Sequence, residues 1–132
     1  MEKIKELKEL KELAEQVNGA NENICTVIKD ISIALTNFIP EGSWFMDDKD
    51  NGICVCSQQD NTLSIRYNRC IYDIDEYFPN DNNVRYIMKV ATSLIGINWE
   101  EVFEAVKEHL EDDLDNKKEV LNKLNEFLTK IS

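Results

Sequence analysis

The spacing of apolar residues changes period twice along this chain, which restricts it to a helix, sheet, helix order. Ile24, Val27, Ile28, Ile31, Leu35 and Phe38 recur every three or four residues, the repeat of a helix with one buried face. Between Trp44 and Ile74 the period falls to two, as in Leu63-Ser64-Ile65-Arg66-Tyr67, the alternation of a half-buried strand. Beyond residue 83 the helical period returns with Val84, Ile87, Met88, Ala91 and Ile95, then with Trp99, Val102, Phe103, Val106 and Leu110. Grouped strands between grouped helices predict an α+β fold. The expected architecture is an N-terminal helix pair (1–39), a three- to four-stranded antiparallel β-meander (43–75) and C-terminal helices (83–131) packed on one face of the sheet.

Local signals set the expected boundaries. Lys-Glu-Leu occurs three times between Lys5 and Leu13; all three residue types favour helix. A repeat of three drifts against 3.6, however, and spreads Ile4, Leu7, Leu10, Leu13, Ala14 and Val17 over about half the circumference. Asn18-Gly19 supplies a helix terminator, and Ile39-Pro40 a second. Asn51-Gly52 predicts a primed hairpin turn. Further turns are expected at Gln59-Asp60-Asn61 and Asn68-Arg69, and Pro79-Asn80-Asp81 begins the return to helix. Asn98 with Glu101 and Asn116 with Glu119 each have capping-box spacing. Asp113 would fall on the apolar face of its helix, so that helix is expected to end near Asp112.

At 132 residues the chain reads as one domain able to bury roughly two thirds of its unfolded surface. No run approaches the ~18 apolar residues that span a bilayer, and the opening alternates charges where a signal peptide needs an apolar stretch. A cytoplasmic protein is expected. Twenty-six acids against fifteen bases give a net charge of −11. That charge disfavours direct contact with nucleic acid or anionic membranes and favours cationic partners. Eight of the acids lie between Asn98 and Asp115, against Lys107 alone. On a helix, Glu101, Glu104, Glu108, Glu111, Asp112 and Asp115 form a ridge opposite the apolar residues. Acids spaced four apart repel one another, so the ridge gives the fold nothing and points to a partner.

Signals for catalysis, cofactors and metals are weak. Cys54 and Cys56 would share one strand face about 7 Å apart, and no Cys-x-x-Cys knuckle occurs among Cys25, Cys54, Cys56 and Cys70. They read as small buried hydrophobes. His109, the sole histidine, reads as a surface residue without an acid–base partner. In an EF-hand register, Asp47 to Gly52 places Lys49 at position 3 and Gln58 at position 12, which defeats calcium binding. Asp73 and Asp75 offer two carboxylates without further ligands. Phosphate-binding glycine motifs are absent, and Arg66, Arg69 and Arg85 are too few for a nucleic-acid groove. The expectation is therefore a non-enzymatic protein with no cofactor and no metal.

Trp44-Phe45-Met46 reads as sheet core, with Trp44 the candidate apolar anchor. Glu101, Glu104, Glu108, Glu111, Asp112, Asp115, Asp47, Asp48 and Trp44 are the candidate partner-binding residues. They suit a basic protein partner such as a nuclease or another nucleic-acid-acting enzyme, which the acids would neutralise by imitating nucleic-acid charge. An immunity protein against a nuclease toxin and a phage anti-defence inhibitor are two settings for that chemistry. The alternative is a structural adaptor that forms a homodimer or larger assembly through its N-terminal helix.

Overall fold

A computed structural model describes residues 2–79 and 83–132. The order is α1 (Glu2–Thr36), β1 (Trp44–Met46), β2 (Gly52–Ser57), β3 (Thr62–Tyr67), β4 (Cys70–Ile74), α2 (Val84–Gly96) and α3 (Trp99–Ile131). The strands form one antiparallel sheet in the order β1-β2-β3-β4, so the α+β expectation holds.

Two expected helix ends are not there. In place of a helix pair, α1 runs unbroken through Asn18-Gly19 for 35 residues, a length of about 52 Å. Leu10, Ala14, Val17, Asn21, Ile24, Ile28, Ile31 and Leu35 keep a 4-3 spacing across the glycine. One stripe thus persists, and an interior glycine costs only about 1 kcal/mol. Likewise α3 passes Asp112 and continues through Asn116 and Glu119 to Ile131. Asp113 turns outward to Lys117, 3.0 Å away at i+4, so it adds an ion pair and leaves the helix intact.

The inner face of the sheet presents Phe45, Ile53, Val55, Leu63, Ile65 and Ile74. Against it pack Ile28, Leu35 and Ile39 from α1 and its end, Ile87, Val90 and Leu94 from α2, and Val102 and Val106 from α3. The buried stripe of α2 is therefore turned from the expected one, leaving Met88 and Ile95 exposed. Gly96 ends α2 against β3, where a Cβ would overlap the Tyr67 ring.

Polar pins fix the layers. Ser32 donates to the Asn61 carbonyl at 2.9 Å, and Thr36 to Asn61 Oδ1 at 2.9 Å, so buried hydroxyls of α1 hold the β2–β3 turn. The Tyr86 hydroxyl accepts from Asp73 N–H at 2.8 Å and donates to Asp73 C=O at 3.0 Å, satisfying the Asp73 backbone on the free edge of β4. The primed turn lies at Asn68-Arg69, with φ of 49° and 69°. At Asn51-Gly52 there is instead a five-residue loop (47–51). Gly52 sits within β2, where a Cβ would overlap Phe45 and Met46. Of the expected helix return at Pro79-Asn80-Asp81, Asn80 and Asp81 lie outside the described residues. Asn83 caps α2 by accepting from Tyr86 N–H at 3.2 Å.

Candidate interaction surfaces

The acidic ridge occupies the first half of α3. Asn98 caps the helix, its side chain accepting from Glu101 N–H at 3.4 Å. The reciprocal half of the capping box is supplied from outside the helix: Asp47 Oδ2 accepts from Asn98 N–H at 3.3 Å. Asp47 thus ties the β1–β2 loop to α3 and puts negative charge at the positive end of the helix dipole.

Beyond the cap, Val102 and Val106 are buried, Trp99 donates its indole N–H to the Leu94 carbonyl at 2.7 Å, and Phe103 packs at a tilt against Trp99 and Phe38. His109 lays its ring edge-on to Phe45 with centroids 5.4 Å apart. These contacts turn Glu101, Glu104, Glu108, Glu111, Asp112 and Asp115 to the exterior, all exposed. Among them Glu111 has an ion pair, with Lys107 at 4.0 Å.

The nine candidate residues do not form one patch. Asp47 and the exposed Asp48 sit at the base of α3. Trp44, 42% exposed, pairs with Cys54 and points to the outer face of the sheet, away from the helices. That outer face holds a second polar group. Cys56 Sγ lies 3.2 Å from Ser64 Oγ, which donates to Asp73 Oδ1 at 2.5 Å. Burial, with Cys56 next to it, pushes the Cys54 thiol above its ordinary range. All four cysteines are free thiols. Among the described residues, no three His, Cys, Asp or Glu side chains converge as a metal cluster, and no helix is long and apolar enough to cross a membrane.

Two further exposed surfaces are apolar. Residues 3–18 of α1 and everything from Lys107 onward on α3 are exposed. Ile4, Leu7, Leu10, Leu13 and Val17 line one arm. Along the other, Leu110, Leu114, Val120, Leu121, Leu124, Phe127, Leu128 and Ile131 are between 42% (Leu110) and 66% (Ile131) exposed. An apolar groove of about 400 Å³ lies at the base of the α3 arm, lined by Phe38, Phe103, Val106, Leu110 and Leu114. The available signal was charge: acids crowd residues 108–115, whereas four lysines against two glutamates follow from Asn116 onward. No protein family, curated protein or solved structure matches this chain.

Proposed function

We propose that this protein is a non-enzymatic protein–protein interaction module, an assembly adaptor whose working surfaces are the apolar stripes of its two helical arms. The observation that carries this reading is the uncovered stripe on each arm, from Ile4 to Val17 and from Leu110 to Ile131. Helices draw most of their stability from packing an amphipathic face, and contiguous exposed apolar surface marks a partner site. Four free thiols suit the reducing cytoplasm, the compartment we propose.

A second reading, inhibition of a basic nucleic-acid-acting enzyme, is favoured by the exposed acidic ridge on α3. The two readings differ in the force that holds the partner, so one capture experiment on source lysate separates them. The baits are the full chain, a stripe variant (Leu7→Glu, Leu10→Glu, Leu121→Glu, Leu128→Glu) and a ridge variant (Glu101→Lys, Glu104→Lys), washed at low and high salt. A partner that survives high salt and is lost only with the stripe variant supports the adaptor. A basic enzyme released by salt and lost only with the ridge variant supports the inhibitor. Binding that neither variant alters sinks both.

A further inference from the structure

We infer that Cys54 and Cys56 form a two-thiolate site for a soft monovalent metal ion, copper(I), on the outer face of the sheet. The site is independent of the arms and stands on strand geometry. The helices pack on the face that carries Ile53 and Val55, so the alternating Cys54 and Cys56 turn to the opposite side. Between Val55 and Ser57 the β2–β3 register shifts, and a bulge of this kind re-aims the side chain it carries. Cys56 Sγ leans to Ser64 Oγ, 3.2 Å away, and Ser64 is the register partner of Cys54. Both cysteines therefore flank one serine.

Ser64 gives its one hydroxyl proton to Asp73 at 2.5 Å, so Cys56 is the donor in its own contact with the serine. That chain, from Cys56 through Ser64 to Asp73, holds the outer sulfur in place. The two thiols differ in access. Cys56 is exposed, whereas Cys54, 8% exposed, stands beside Trp44, its register partner on β1. One sulfur can take an ion from solution, and the other can hold it in drier surroundings.

Spacing decides what the pair can do. A strand sets Cβ atoms two residues apart at about 7 Å, too far for the Cβ separation of about 3.5–4.5 Å in a disulfide. An ion bonded to each sulfur at about 2.3 Å, the length of a zinc–thiolate bond, asks for sulfurs about 4.5 Å apart. Thiols at that Cβ spacing reach this by turning toward each other. Zinc would want four ligands, and no three Cys, His, Asp or Glu side chains converge among the described residues. Copper(I) is satisfied by two sulfurs, and soft thiolate ligands select it. Met46 adds a thioether on this face, its Sδ lying over Gly52, the next outward position of β2. Binding releases the two thiol protons to water and changes no oxidation state.

Anaerobic titration of the reduced full chain with copper(I), against a colorimetric copper(I) chelator, tests this. One ion per chain should be retained, and it should quench the emission of Trp44. Cys56→Ser, a change at an exposed position that should leave the melt unaltered, should lose the ion. Cys25→Ser with Cys70→Ser should keep it, because Cys25 lies on α1 and Cys70 opens toward Met88 and Lys89 of α2. Ser64→Ala should weaken retention roughly tenfold, as expected of a residue that orients a ligand. Trp44→Phe should retain the ion and lose the quenching. No retention by the wild type, retention that Cys56→Ser leaves intact, or loss in the Cys25 and Cys70 variant would each overturn the inference. So would zinc(II) held in preference to copper(I).

Discussion

Arg69 occupies the second position of the β3–β4 turn at φ 69°, a left-handed conformation that costs a side-chain-bearing residue roughly 1–2 kcal/mol. Its bond to Asp50 at 3.3 Å is on the surface and contributes little. Arg69→Gly should therefore stabilise the fold by about 0.5–1 kcal/mol, less than the full relief because glycine loosens the unfolded chain. Urea titration would show this as a higher midpoint at unchanged slope; a lower midpoint would mean the Asp50 pair matters more than the turn. The thiols make a second residue-scale test. Cys54 is buried and its thiol is raised above the ordinary value, so less of it is thiolate at any given pH. Timed alkylation read by mass spectrometry should label the exposed Cys56 and Cys70 first. The Cys54 rate should still be climbing with pH above the ordinary thiol range. Equal rates at all four cysteines would contradict its burial.

Among the elements, core-forming segments were legible and their ends were not. The meander follows directly from alternation at Leu63–Tyr67 and from the turn at Asn68-Arg69, because a strand slipped by one residue would turn Leu63 and Ile65 out of the core. Asn18-Gly19 and Asp112-Asp113 misled for a shared reason: a local stop signal weighs about 1 kcal/mol or less, and each lies inside a longer apolar stripe. The ridge was legible on α3 and is exposed there. The separation of Trp44 from it was not, since that depends on which face of β1 the helices cover. Nothing in the spacing of α3 distinguishes a stripe packed on its own sheet from one left uncovered. Gly19 makes the helix argument testable. A Cβ there meets nothing within 4 Å, so Gly19→Ala should raise helix content and stabilise α1 by about 0.5–1 kcal/mol. Far-ultraviolet circular dichroism should show a deeper helical minimum; loss of signal would mean that the chain bends at Gly19.

At the scale of the whole molecule, the chain divides into a body and two arms that differ in what stabilises them. The body buries Ile53, Val55, Leu63 and Ile65 between sheet and helices, and amides of such core strands are expected to open only with global unfolding. Residues 3–18 and the α3 arm have no such cover, and a helix in a protein owes most of its stability to packing an amphipathic face. Hydrogen exchange on dilute protein should therefore find both arms fast and strands β2 and β3 slow. Raising the concentration should then separate the arms. If the α3 arm self-associates, the amides from Leu114 to Leu128 gain protection by about fifteenfold once total protein reaches 100 times the dissociation constant, where about 7% of chains stay monomeric. Those of Ile4 to Val17 stay fast, because that pairing leaves them bare. Protection that rises on α1 and not on α3 would transfer assembly to the N-terminal arm, where neutral Lys-Glu mixing gives pairing no preferred direction. Protection that rises on neither would leave both stripes to a partner of another kind, to be named by the capture experiment.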